Sequence, residues 1–138
     1  MTIVEQNAAR SLAAAAPLRI SIVDDDASIR EALKSLMRSV RWEAEAFASA
    51  EEFLASLNFE DTACLILDVR LPGMSGFELQ DRLNARDRAI PIVFISGHAD
   101  ETSRQRALAA GAVDLLSKPV RREVLFQAIH AALQRLTE

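Results

Sequence analysis

Acidic residues follow two of the apolar runs in this sequence, and a hydroxyl group and a lysine follow two others. Asp24 and Asp25 come after the first run, Asp68 after the third, Ser96 after the fourth and Lys118 after the fifth. Carboxylates crowded at one point repel each other, which raises some of their pKa values unless a cation neutralises them. If the fold brings these residues together, their types predict a metal site.

The chemistry that suits such a cluster is phosphoryl transfer. Carboxylate ligands without histidine or cysteine favour Mg²⁺, with Mn²⁺ as the alternative, and Mg²⁺ commonly keeps phosphate oxygens among its ligands. Asp68 stands alone after its run and is the candidate nucleophile, which would form an acyl phosphate. Lys118 would balance phosphoryl charge, and the Ser96 hydroxyl would donate a hydrogen bond to a phosphoryl oxygen. Asp26 is as well explained by a helix N-cap.

The elements that must position these residues alternate between short apolar runs and segments of helical period. This alternation is typical of βα units around a parallel sheet. Because crossovers between parallel strands are right-handed, five such units predict an α/β fold, a doubly wound five-stranded sheet with helices on both faces. Ligands bind at the carboxyl ends of the strands in such sheets, so the candidate residues should converge there. Strands are predicted over residues 19–23, 43–47, 64–67, 90–95 and 113–116.

Apolar stripes and capping residues predict the helices. The first stripe covers residues 29–40 and follows a predicted capping box formed by Ser28 and Glu31. Ser49 and Glu52 have the same spacing ahead of the second helix. Further helical segments are predicted over residues 76–84, 101–110 and 125–136.

The bulk properties exclude several classes of protein. A chain of 138 residues, half of them hydrophobic, predicts one domain at residues 18–138, preceded by a flexible extension at residues 1–17. The net charge of −4 lacks the basic field that direct nucleic-acid binding requires. A single cysteine, Cys64, excludes an internal disulfide, and no apolar stretch is long enough for a membrane span. A soluble cytoplasmic protein is therefore expected.

Five short motifs resemble the receiver domain of two-component response regulators. The resemblance covers the chain from Leu18 to about Leu136 and implies the (βα)5 flavodoxin-like fold. Within that family, residues 96–100 and 111–114 are most similar to regulators that resemble the nitrogen-fixation regulator FixJ. The motifs are Val23-Asp24-Asp25, Leu67-Asp68 with Leu71-Pro72-Gly73-Met74-Ser75-Gly76, Ser96-Gly97-His98, Gly111-Ala112 and Lys118-Pro119.

The resemblance also implies roles for the candidate residues. Asp24 and Asp25 would form an acidic metal pocket with Asp68, which accepts the phosphoryl group, and the Arg70 backbone carbonyl would be a further metal contact. The implied protein is a signalling receiver and not an enzyme. Its phosphoryl donor would be a histidine kinase or a histidine phosphotransfer protein.

Phosphorylation in this family changes a protein-binding surface. Ser96 and Lys118 would sense and neutralise the phosphoryl group, and the face of the fourth helix and fifth strand would repack to allow homodimerisation or target binding. Two positions depart from the family pattern. Leu115 stands where an aromatic residue commonly rotates inward, and Val120 stands where phenylalanine often follows Lys-Pro. The resemblance therefore does not carry an aromatic switch over to this chain.

Two other functions remain open at the level of the sequence. A haloacid-dehalogenase-like phosphatase would use Asp24 and Asp26 as an Asp-x-Asp nucleophile motif. That family also needs an acidic pair after the lysine, where this sequence has only Glu123 and Glu138. The other candidate is a receiver that binds proteins without being phosphorylated. The sequence is compatible with a stand-alone receiver and with one part of a longer regulator.

Overall fold

The computed structural model describes residues 18–57, 59–86 and 89–137, so the predicted extension at residues 1–17 lies outside the described residues. The strands are β1 (Arg19–Val23), β2 (Glu43–Phe47), β3 (Cys64–Asp68), β4 (Ile92–Ser96) and β5 (Asp114–Ser117). The helices are α1 (Ala27–Ser39), α2 (Ala50–Ala55), α3 (Gly76–Asn84), α4 (Glu101–Ala109) and α5 (Arg122–Gln134), with short 3-10 turns at Phe59–Asp61 and Arg135–Thr137. None of the helices in these ranges has the length and apolar character of a membrane span.

The strands form one parallel sheet in the order β2-β1-β3-β4-β5. This arrangement confirms the doubly wound (βα)5 fold predicted from the sequence. The chain changes direction across the sheet between β1 and β3, and open sheets of this kind bind ligands at that point. Val23 of β1 pairs with Leu67 of β3. The acids that follow these two residues therefore meet at one crevice.

Alternate residues of the central strands fill two separate cores, one on each face of the sheet. In β3, Leu65 and Leu67 pack with α2, α3 and α4, whereas Cys64 and Ile66 pack with α1 and α5. Every residue of β3 and β4 is buried, as expected for strands covered on both faces. Burying each large aliphatic side chain contributes about 2 kcal/mol to the stability of the fold. The centre of the sheet therefore holds the residues at its edge in fixed positions.

Several element boundaries differ from the sequence prediction by one or two residues. β4 begins two residues later than predicted, because Ile90 and Pro91 are buried and apolar but precede the paired segment. Proline has no N–H to donate, and Pro91 contributes only its carbonyl, which accepts from the Leu65 N–H at 2.9 Å. β3 and β4 each run one residue further than predicted, so Asp68 and Ser96 are the last residues of their strands. β5 is shifted one residue along the chain, and α4 ends one residue early.

Side-chain caps determine where the first two helices begin. The cap of α1 is Asp26, whose carboxylate accepts hydrogen bonds from backbone N–H groups of the first turn. The predicted capping box of Ser28 and Glu31 is therefore wrong, because Ser28 already lies inside the helix. The box ahead of α2 has its expected cap, since the Ser49 hydroxyl accepts from the Glu52 N–H at 3.1 Å.

Candidate functional site

Three carboxylates converge where β1 and β3 end. One ligand oxygen from each of Asp24, Asp25 and Asp68 lies within 4.8 Å of the other two. Asp24 is 0% exposed and Asp68 is 5% exposed, whereas Asp25 is at the surface. The cluster predicted from the sequence therefore forms, with one acid at the bottom of the crevice and one at its rim.

Lys118 lies between the two buried carboxylates. Its Nζ is 2.8 Å from Asp24 Oδ2 and 2.9 Å from Asp68 Oδ2. Burial opposes the charge of the ammonium group, but hydrogen bonding and the negative charges of the two acids outweigh burial, and the pKa of Lys118 is raised. The backbone holds the lysine in place, because the Lys118 N–H donates to the Ser96 carbonyl at 2.9 Å. The Lys118–Pro119 peptide bond is cis.

Asp24 is fixed by hydrogen bonds at three of its polar atoms. Its N–H donates to the Phe47 carbonyl at 3.1 Å, its carbonyl accepts from Arg30 Nη1 at 2.9 Å, and its Oδ1 accepts from the Asp26 N–H at 2.9 Å. Its Oδ2 forms the ion pair with Lys118 but, among the described residues, has no hydrogen-bond partner. A buried carboxylate oxygen with free lone pairs is a suitable cation ligand, so this donor set fits a divalent metal ion.

Asp68 is oriented through both of its carboxylate oxygens. Oδ1 accepts from the Arg70 N–H at 3.2 Å, and Oδ2 accepts from Lys118 Nζ at 2.9 Å. Burial is the largest influence on this carboxyl group and raises its pKa, the charge of Asp24 adds to the rise, and the hydrogen bond from Lys118 opposes it. The pKa of Asp68 is raised overall. Ionised Asp68 is therefore costly in the metal-free fold.

We expect Asp68→Asn to stabilise the metal-free protein at neutral pH. A carboxyl group whose pKa is higher in the folded than in the unfolded state reduces stability above both pKa values, and asparagine mimics the protonated form. The expected gain in the free energy of unfolding is about 1 kcal/mol, measured by urea denaturation in EDTA. Equal or lower stability of Asp68→Asn in EDTA would contradict this view of the site.

Ser96 ends β4 and is 2% exposed. Its hydroxyl oxygen accepts from the His98 N–H at 3.0 Å, which leaves the hydroxyl proton available to a ligand. Ser96 does not cap the next helix, because the cap of α4 is Asp100, whose Oδ1 accepts from the Ser103 N–H at 2.7 Å. His98 is exposed.

Asp26 does not belong to the carboxylate cluster. It is exposed, and its Oδ1 accepts from the backbone N–H and the hydroxyl of Ser28, at 2.9 and 2.8 Å. The side chain is therefore engaged at the start of α1. A phosphatase in which Asp24 and Asp26 form the catalytic acid pair has no support from this geometry.

Sequence reasoning missed two side chains that brace the site. Arg30 donates to the Asp24 carbonyl, and the Glu51 carboxylate accepts from the Met74 N–H at 3.0 Å, in the loop that follows Asp68. Glu51 and Met74 are 23 residues apart in the sequence. No local pattern connects residues at that separation, and only the folded chain brings them together.

Known proteins are similar to this chain in sequence and fold. The family profile of the response regulator receiver domain matches residues 20–130. The response regulator protein TodT of Pseudomonas putida is 50% identical over 115 residues, which cover 83% of this chain and 51% of TodT. The chain thus spans about half the length of the curated relatives it matches.

Solved structures agree with this comparison. The structure of the response regulator StyR has a TM-score of 0.77 and 45% identity, with 84% of this chain and 59% of that chain covered. The structure of FixJ-N has a TM-score of 0.74 and 35% identity, with 84% of this chain and 93% of that chain covered.

Proposed function

Because the chain belongs to the response-regulator receiver family, we propose that Asp68 is the residue that accepts its phosphoryl group. The chain is a phosphoacceptor domain of a two-component response regulator, which is a signalling protein. The contact of Asp68 with Lys118 at 2.9 Å, at the end of a buried strand, is the observation that carries the assignment. Asp24 is fully buried and offers a donor no line of approach, and Asp25 lies at the exposed rim.

The transfer step follows from these contacts. A carboxylate oxygen of Asp68 attacks phosphorus, a P–O bond forms, and the P–N bond of a donor phosphohistidine breaks, with its electron pair returning to the imidazole. Lys118 balances the charge on the phosphoryl oxygens, and the Ser96 hydroxyl donates to one of them. The product is an acyl phosphate that water can later hydrolyse. In this sense the receiver promotes its own phosphorylation and dephosphorylation.

The metal ligands in this proposal are Asp24, Asp25 and Asp68, together with the Arg70 backbone carbonyl. This acidic triad is typical of the Mg²⁺ site of receivers, and Mn²⁺ suits the same oxygen ligands. Mg²⁺ bound there would neutralise the carboxylates and the phosphoryl oxygens. Asp24 Oδ2 is buried and, among the described residues, accepts no hydrogen bond, which supports a cation at this point.

The donor in this proposal is the histidine kinase that receiver membership implies, acting directly or through a histidine phosphotransfer protein. The response to phosphorylation would be produced by another domain of a longer regulator, or by a separate target protein that binds a stand-alone receiver. No direct nucleic-acid binding is expected of this chain, in keeping with its charge of −4. The cytoplasmic location predicted from the sequence stays a prediction.

We further propose that phosphorylation promotes a homodimer through the face of α4 and β5. Leu108 of α4 is 41% exposed. Next to β5, Arg104 of α4 and Val124 of the neighbouring α5, which is 38% exposed, line a depression of about 270 Å³. Leu115 of β5 is buried in the core and has no aromatic ring to rotate, so this proposal assigns the coupling to the packing of α4 against β5. Phosphorylated protein should sediment as a dimer, and Leu108→Asp should keep it monomeric.

Leu57 provides the matched control for this dimer, because it is 99% exposed in the turn after α2, which is not part of this face. Leu57→Asp should dimerise like the wild type on phosphorylation. Sedimentation velocity that finds a phosphorylated monomer, or equal loss of the dimer in both variants, would contradict the proposed face.

The phosphorylation proposal is tested by incubating the protein with phosphoramidate and recording its intact mass. We expect one phosphoryl adduct that requires Mg²⁺ and disappears in Asp68→Ala. Asp24→Ala should weaken Mg²⁺ binding and slow adduct formation. No adduct on the wild type would favour a receiver that binds partners without phosphorylation. An adduct that persists in Asp68→Ala but is lost in Asp24→Ala would place the nucleophile after β1.

A further inference from the structure

The loop between β3 and α3 carries contacts that orient the phosphoacceptor. The Arg70 N–H donates to Asp68 Oδ1 at 3.2 Å, and the loop closes where the Gly76 N–H donates to the Val69 carbonyl at 2.9 Å. Any movement of the loop near Arg70 therefore changes how the Asp68 carboxylate is presented. A contact that fixes the conformation of this loop would therefore also fix the orientation of the Asp68 carboxylate.

Glu51 makes such a contact from a different helix. Its Oε2 accepts from the Met74 N–H at 3.0 Å, and this hydrogen bond holds the pKa of Glu51 below its usual range. The carboxylate can come this close because Gly73 has φ +74° and no side chain, and a Cβ at Gly73 would overlap Glu51 Oε2. The absence of a side chain at Gly73 therefore leaves room for the Glu51 carboxylate against the turn.

The helix that carries Glu51 is firmly anchored. Ala50 and Phe53 of α2 are fully buried, and the Phe53 ring packs edge-on against Phe47 and Phe59, with centroids 5.6 and 5.4 Å away. The first turn of α2 is capped by Ser49. Glu51 therefore extends its carboxylate from an anchored helix to the loop that follows the phosphoacceptor.

We propose that Glu51 is a positioning residue, whose carboxylate holds the β3–α3 loop so that Arg70 and Asp68 stay in place for the cation and the phosphoryl group. This inference rests on the proposed function of Asp68. Glu51 acts through the loop, since its carboxylate contacts the Met74 N–H and not the carboxylate cluster. Its effect should therefore appear first in cation affinity and least in the rate at saturating cation.

Glu52 is a matched control on the same turn of α2. Its carboxylate also accepts one backbone N–H, that of Ala48 at 2.9 Å, but this bond caps the helix and does not reach the loop. Glu51→Ala and Glu52→Ala remove the same charge from the same helix end. Glu51→Gln retains an oxygen acceptor and should restore most of what Glu51→Ala loses.

The experiment measures Mg²⁺ affinity by calorimetry, hydrogen exchange of the Met74 amide, and phosphorylation by phosphoramidate at low and saturating Mg²⁺. For Glu51→Ala we expect the Mg²⁺ dissociation constant to rise by about fivefold, the equivalent of one lost hydrogen bond, with faster Met74 exchange. Phosphorylation should slow at low Mg²⁺ and approach the wild-type rate at saturation. Glu52→Ala should lower thermal stability and leave the Mg²⁺ affinity unchanged.

Three results would overturn the inference. Unchanged Mg²⁺ affinity in Glu51→Ala would mean that the contact does not position the site, and equal weakening in Glu52→Ala would assign the effect to helix stability. Failure of Glu51→Gln to recover affinity would assign it to charge alone. A wild type with neither Mg²⁺ affinity nor an adduct would instead remove the proposed function itself, together with this inference.

Discussion

Gly76→Ala is expected to destabilise the protein by about 3 kcal/mol and to slow phosphorylation of Asp68 severely. A Cβ at Gly76 would overlap the Asp68 carbonyl oxygen and would lie 3.0 Å from Val69 Cα. Both neighbours are backbone atoms at the end of a buried strand, so they cannot swing aside as a flexible side chain would. The substitution therefore forces the phosphoacceptor itself to move. Urea denaturation and the rate of adduct formation measure the two effects.

Gly97 offers a control within the same site. It follows Ser96, and a Cβ there would meet no atom within 4 Å. Gly97→Ala should change the free energy of unfolding by less than about 0.5 kcal/mol. If Gly76→Ala were as mild as Gly97→Ala, the close approach of α3 to β3 would not require glycine at position 76.

Lys118→Met is expected to lower the free energy of unfolding by about 2 kcal/mol in EDTA. The substitution keeps an unbranched side chain that is one atom shorter, but it leaves Asp24 and Asp68 without the ammonium that contacts both. Removing one partner of a buried ion pair costs about 3–5 kcal/mol, and the partial exposure of Lys118 reduces that cost. The variant should also bind Mg²⁺ more tightly than the wild type, because a positive charge that competes with the cation is gone.

Comparison of urea midpoints in EDTA and in Mg²⁺ measures this effect, since Mg²⁺ should restore part of the lost stability. Lys34 is the matched control, because its ion pair with Glu31 is long at 3.9 Å and exposed. Lys34→Met should be nearly neutral in both solutions. Wild-type stability of Lys118→Met in EDTA would mean that the lysine does not neutralise the buried acids.

The sequence was sufficient to predict the sheet and the cluster at its edge. Strands such as β3 and β4 read as unbroken apolar runs because both of their faces are covered, and the crossover rule then brings their carboxyl ends to one side. Asp24, Asp68 and Lys118 each follow or end such a run, so their convergence is a consequence of topology. Their mutual distances did not have to be known for the site to be predicted.

The predictions that were wrong concern where α1 and β4 begin, because neighbouring residues are equally suited to the first position. Asp26 and Ser28 are both good caps, and only the start of α1 at Ala27 decides between them. Ile90 and Pro91 are as apolar as the residues of the strand that follows, but the paired segment of β4 begins at Ile92. A pattern of residue types predicts which residues are buried. The cap of a helix and the first residue of a strand depend instead on which backbone groups form hydrogen bonds.

The contacts that brace the site were beyond prediction for another reason. Arg30 reaches back to the Asp24 carbonyl, and Glu51 reaches across to Met74. Both are exposed or partly exposed polar side chains, whose types are also common on solvated helix faces. Only the spatial arrangement distinguishes a bracing residue from a solvated one.

Identification of the phosphorylated residue is the most direct test of Asp68 as the phosphoacceptor. The protein is treated with phosphoramidate and Mg²⁺, the acyl phosphate is reduced with borohydride, and the peptides are mapped by mass spectrometry. Reduction converts a phosphorylated aspartate to homoserine, and we predict homoserine in place of Asp68 in the peptide that contains the end of β3. Homoserine at the position of Asp24, Asp25 or Asp26, with Asp68 unmodified, would show that Asp68 is not the phosphoacceptor.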